Sequence, residues 1–102
     1  MLTLPELLKK IRDYNPGFDE ALVKKAYLYA KDAHGNQKRH SGDPYFSHPV
    51  SVAEILTELK LDDASIITAL LHDVVEDTDT SLDEIEKNFG EEIAKLVDGV
   101  TK

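Results

Sequence analysis

A chain of 102 residues, 41% hydrophobic and 31% charged, suits one small globular domain with a real core and excludes a disordered tail. It has no cysteine, which rules out disulfides and thiolate metal sites, so any metal must be held by His and carboxylate. The formal net charge of −8 argues against general binding to nucleic acid or to an anionic membrane, although a local basic cluster or a bound cation still admits a small phosphorylated ligand, because charges more than about 8 Å apart are strongly screened.

Met1 to Tyr14 mix Leu with Lys, Arg, Glu and Asp and contain no apolar run of the signal-peptide or membrane-span kind, so a cytoplasmic location is the expectation. Leu4, Leu7, Leu8 and Ile11 recur at helical spacing, predicting a first helix from about Thr3 to Tyr14 that Asn15-Pro16-Gly17 stops. A second helix should begin near Asp19, carry Leu22, Ala26, Tyr29, Ala30 and Ala33 on one face, and end near Gly35. His34, at its end, is read as a cap or packing residue. Residues 36–46, with Gly42 and Pro44 among polar neighbours, form the longest predicted loop, a common place for binding residues.

A third helix should start at about Ser47, tolerate Pro49 in its first turn and bury Val52, Ile55, Leu56 and Leu59. The fourth starts at Asp62 or Asp63 and runs to about Asp77. Ser81 followed by Glu84 is a capping-box pattern that opens a fifth helix, closed by Gly90, and a sixth follows from Glu91 to about Val97. No stretch alternates apolar and polar residues like a strand, so the expected class is all-α, in a single domain spanning residues 1–102.

The chemistry concentrates on the fourth helix. At about 100° per residue, Ile66, Ile67, Leu70, Leu71, Val74 and Val75 share one arc, and Thr68, His72, Asp73, Glu76 and Asp77 take the opposite one. His72 and Glu76 are four apart, as are Asp73 and Asp77, giving two stacked pairs. A solvated acidic face is the plain alternative. Against it, Asp73, Glu76 and Asp77 sit in the last turns, where negative charge opposes the helix dipole by roughly 0.3–1 kcal/mol each. From Leu61 to Glu86 there are also nine acids and no Lys or Arg, an imbalance that a divalent cation would relieve. Imidazole with carboxylate suits Mn²⁺, Fe²⁺, Zn²⁺, Ni²⁺ or Co²⁺ better than Ca²⁺. His72 and Asp73 are adjacent and need a ligand from elsewhere, for which His48, just after the polar loop, is the best candidate. In that loop Lys38, Arg39, His40 and Ser41 form a possible anion-holding rim.

These residues also carry a resemblance. Ala33-His34-Gly35, Arg39-His40-Ser41-Gly42-Asp43-Pro44-Tyr45, Ser47-His48-Pro49, Leu71-His72-Asp73-Val74-Val75-Glu76-Asp77-Thr78 and Val97-Asp98-Gly99-Val100-Thr101-Lys102 resemble successive motifs of the hydrolase domain of the RelA/SpoT family, over nearly the whole chain. The resemblance implies an HD-domain-like helical bundle, cut before its later helices, that removes the 3′-pyrophosphate of (p)ppGpp in the stringent response, giving GDP or GTP and pyrophosphate, with Mn²⁺ as the usual metal. It makes His48, His72 and Asp73 metal ligands. It makes Glu76 and Asp77 the carboxylates that position or deprotonate the attacking water, and Arg39, helped by Ser41, a contact to the guanine nucleotide.

Two departures accompany the resemblance. The family commonly has Lys where this chain has His40, and its fourth ligand, an Asp on a later helix, would fall beyond Lys102. Low metal occupancy, impaired turnover and self-association through an exposed C-terminal face are therefore expected of the 102 residues. Two rival readings stay open: an HD phosphohydrolase for another nucleotide, and a non-catalytic fragment or regulatory module.

Overall fold

The structure, a computed structural model, describes residues 2–35, 42 and 45–101. Among them are six helices and no strand: α1 (Leu4–Tyr14), α2 (Glu20–His34), α3 (Ser47–Glu58), α4 (Asp63–Asp77), α5 (Leu82–Phe89) and α6 (Glu91–Thr101). No helix among the described residues is long and apolar enough to cross a membrane.

Local signals set most of the boundaries. Thr3 caps α1 in a reciprocal box: its hydroxyl accepts the Glu6 N–H and the Glu6 carboxylate accepts the Thr3 N–H. Asp19, Asp62 and Ser81 accept the N–H groups of Leu22, Ser65 and Glu84 at the starts of α2, α4 and α5. Beyond that hydrogen bond, the Glu84 carboxylate takes the Tyr29 hydroxyl at 3.4 Å. Gly35 and Gly90 end α2 and α5 at φ of 53° and 98°, where a side chain would be strained. The end of α3 is a Schellman turn: the Leu61 N–H reaches the Leu56 carbonyl, the Lys60 N–H reaches that of Thr57, and Lys60 sits at φ 58°.

Helix α4 is central, packing against α2, α3 and α6, while α5 packs on α6 and α1 on α2 and α3. Its Ile66, Ile67, Leu70, Leu71 and Val74 are almost wholly buried. Three sequence expectations shift here. Helix α3 buries Pro49, Val50, Ala53 and Thr57, whereas Ile55 and Leu59 are 55% and 64% exposed. The reason is that the small Ala53 sets the seam against α4, leaving the bulkier stripe a quarter-turn away. Helix α2 turns Val23, Ala26, Tyr27, Ala30 and His34 inward, with Leu22, Tyr29 and Ala33 only half-buried. Helix α6 continues past Val97 to Thr101, because Gly99 at an exposed position does not interrupt it.

A polar clasp ties the N-terminal helices to the α3–α4 turn. The Tyr14 hydroxyl donates to the Leu61 carbonyl at 2.7 Å, and the Asp19 N–H donates to Asp63 at 2.7 Å. Burial first, and the Asp62 and Asp63 charges second, push the Tyr14 phenol above its ordinary pKa.

Hydrogen bonds from the Ser65 hydroxyl and then the Ser65 backbone N–H hold the Asp62 carboxyl below its ordinary range. A depressed carboxyl pKa adds stability above the unfolded value of about 4 that is lost as pH falls through the folded one. Asp62→Ala is expected to cost ~1 kcal/mol at pH 7 in urea unfolding. Asp62→Asn, which still caps, should keep most of that stability and show a shallower loss below about pH 4.

Candidate metal centre

The ligand candidates come from two helices. On α4, His72 Nδ1 lies 3.1 Å from Asp73 Oδ1, and His72 Nε2 lies 3.4 Å from Glu76 Oε2 one turn later. From the first turn of α3, His48 Nε2 stands 3.9 Å from Asp73 Oδ2. Asp73 is the most enclosed of the four, its side chain 12% accessible against 49% for His48. The structure thus brings His48, His72, Asp73 and Glu76 into one neighbourhood.

One donor atom from each of His72, Asp73 and Glu76 fits within a mutual span of 4.8 Å. Ligands on opposite sides of an ion with bonds of about 2.1 Å stand about 4.2 Å apart, so small side-chain adjustments close the group around a first-row divalent cation. The donor set therefore fits a transition-metal ion. Glu76 falls inside this compact group, and its four-residue spacing from His72 is what brings the two side chains together.

Asp77 faces a neighbouring acidic pocket shared with Ala33, Glu76, Thr78, Asp79, Thr80 and Glu84. Thr78 ends α4 immediately after it: both its N–H and its hydroxyl donate to the Val74 carbonyl, at 3.1 and 2.5 Å, and the hydroxyl accepts the Thr80 N–H. That turn fixes Glu76 and Asp77 on the final turn of the helix. Lys38, Arg39, His40 and Ser41 lie outside the described residues.

The imidazoles open onto a cleft of about 290 Å³ between α3, α4 and α6. Pro49, Val52, Leu56, Ala69 and Val100 make it mostly apolar, and Ser65 and Thr68 add hydroxyls. Thr68 gives its hydroxyl proton to the Ala64 carbonyl at 2.8 Å. Sequence reasoning missed Ser65 and Val100, whose place in the cleft depends on how α6 crosses α4 and not on any local spacing.

Residues 26–102 match the family model described as "HD domain". Over all 102 residues the chain is 55% identical to "GTP pyrophosphokinase rsh" of Brucella ovis and 46% identical to "Bifunctional (p)ppGpp synthase/hydrolase SpoT" of Escherichia coli K12. It is 50% identical over 101 residues to the "Guanosine-3′,5′-bis(diphosphate) 3′-pyrophosphohydrolase" of Aquifex aeolicus. In each case it spans 14% of the relative's length. A solved structure described as a metazoan ortholog of SpoT that hydrolyzes ppGpp superposes with a TM-score of 0.74 at 39% identity, covering 79% of this chain and 48% of that one.

Mn²⁺ added to the protein should bind weakly, and His72→Ala should lower the affinity at least about 10-fold, the smallest loss typical of disturbing even an outer partner of a metal site. Isothermal calorimetry checks this. Tight one-to-one binding that survives His72→Ala would show that the ligands lie elsewhere.

Proposed function

Because the chain belongs to the HD-domain family, we propose that it works as one domain in the metal-dependent hydrolysis of the 3′-pyrophosphate of (p)ppGpp, giving GDP or GTP and pyrophosphate. The observation that carries this reading is the meeting of His48, His72 and Asp73 at one cleft, with Glu76 beside His72, in a chain half-identical to a protein named for that reaction.

His48, His72 and Asp73 would hold the ion, with Mn²⁺ the choice the resemblance favours. Such a cation, when bound, polarises the phosphate and makes a nearby water more acidic. Glu76 and Asp77 then position or deprotonate the attacking water, the role suited to carboxylates that stay solvent-accessible on a last helical turn. Arg39 meets the guanine nucleotide with help from Ser41, and Lys38 and His40 add donors for its phosphates. A soluble nucleotide substrate goes with a cytoplasmic location, and the net charge of −8 goes with the absence of nucleic-acid and membrane partners.

A second role for Glu76 has its own support, since its carboxylate belongs to the compact donor group. Glu76→Gln separates the two. As a proton-transfer residue, its loss in a version extended beyond Lys102 should cut pyrophosphate release from ppGpp about 100-fold or more with Mn²⁺ affinity unchanged. A matching fall in Mn²⁺ affinity makes it a ligand instead. Mn²⁺-dependent release of phosphate from other nucleotides, with none of pyrophosphate from ppGpp, would sink the substrate assignment.

Self-association belongs to the same reading. Leu96 and Val100, one turn apart on α6, are 41% and 55% exposed, so the C-terminal face offers apolar surface. Light scattering should give a mass above that of one chain at high concentration, and a strictly monomeric profile would remove the claim.

A further inference from the structure

We propose that His34 is a positioning residue for His48: its buried ring holds the first turn of α3 in place, an inference that rests on the metal-site reading above. Helix α3 begins without a side-chain cap. Its N-cap is Phe46, in αR conformation at φ −62° and ψ −21°, and no side chain there accepts a hydrogen bond from the first turn. Helix starts normally gain about 1 kcal/mol from such an acceptor. The backbone bonds at this start are also long, with the His48 N–H at 3.3 Å from the Tyr45 carbonyl and the Val50 N–H at 3.4 Å from that of Phe46. The turn that carries His48 thus begins without a Phe46 side-chain cap and on long backbone bonds.

Aromatic packing supports this turn. Tyr45 stacks on His34 with centroids 5.7 Å apart and planes 17° from parallel. Phe46 meets the His34 ring at 6.5 Å and the edge of Tyr27 at 5.0 Å. His34 touches both residues that precede α3, and it is 1% exposed at the last position of α2. Since α2 packs on α4, the ring links the helix that carries Asp73 to the turn that carries His48. The carbonyl of the residue it stacks on is the one that receives the His48 N–H. Tyr45 and Phe46 run directly into Ser47 and His48, so movement of the packed rings is carried along the backbone to His48, whose imidazole stands 3.9 Å from Asp73.

The test compares His34→Ala, which removes the ring, with His34→Phe, which keeps it, and with Ile85→Ala as an equally buried control between α5 and α6. In the metal-free protein at one fixed pH, the imidazole NMR resonances of His48 should shift in His34→Ala and stay near wild-type in His34→Phe and Ile85→Ala. Mn²⁺ affinity should fall 10- to 100-fold in His34→Ala, the range for residues that orient a ligand without binding the ion, and change less than about 3-fold in His34→Phe. Should His34→Ala not fold, Tyr45→Ala removes the other half of the stack from a partly exposed position and carries the same expectations. A folded ring-deletion variant with unmoved His48 resonances overturns the proposal, as does an equal shift in Ile85→Ala. If the wild-type protein binds no Mn²⁺, the metal-site reading fails, while the metal-free resonances still decide what His34 does.

Discussion

The first turn of α3 lies against the middle of α4, and the approach of His48 to Asp73 exists only while that contact holds. Apolar packing maintains it. Val50 and Ala53 on one helix and Ile67, Leu70 and Leu71 on the other are almost wholly buried, and each large side chain of this kind contributes about 1.5–3 kcal/mol. The imidazole–carboxylate contact of His48 with Asp73 across the seam is partly solvated, where even a fully charged pair is worth only about 0.2–1 kcal/mol. The core therefore decides where the polar groups stand, and they adapt to it. The same helix serves both, one arc filling the interior and the other supplying His72, Asp73 and Glu76.

The electrostatics run against the fold at this place. The last turn of α4 has no basic residue, and its carboxylates face the negative end of the helix dipole. An arrangement that gains nothing for folding is typical of a site shaped by what it binds, as the family relationship leads one to expect. Thr78 limits the damage by satisfying the Val74 carbonyl with two donors, closing the helix without a positive charge.

Much of this was legible in the sequence because the signals are local. Ser81 before Glu84 marks a helix start through a hydrogen bond three residues long, while the caps that Thr3 and Asp62 form with Glu6 and Ser65 emerge from the structure at starts the sequence places near them. Periodicity places Ile66, Ile67, Leu70, Leu71 and Val74 of α4 inward, whereas Val75 is only half-buried and Thr68 and Asp73 of the opposite arc are buried as well. Faces set by neighbours were harder to read: Val52, Ile55, Leu56 and Leu59 look like a buried stripe, but the interior takes Val50 and Ala53, because close helix approach favours the smaller residue. His34 was legible as a packing residue, though its partners Tyr45 and Phe46 lie eleven and twelve residues further along the chain. The contact between His48 and Asp73 joins residues on different helices, so spacing could nominate both without giving the distance.

The Schellman turn after α3 holds one more consequence. Lys60 occupies a left-handed conformation that costs an ordinary L-residue about 1–2 kcal/mol and glycine almost nothing. A lysine in that place is evolutionary headroom: stability that selection has left unclaimed, and a first choice for anyone engineering a sturdier scaffold. The position lies just past the opposite end of α3 from His48, so firmness could be added there with the chemistry left alone.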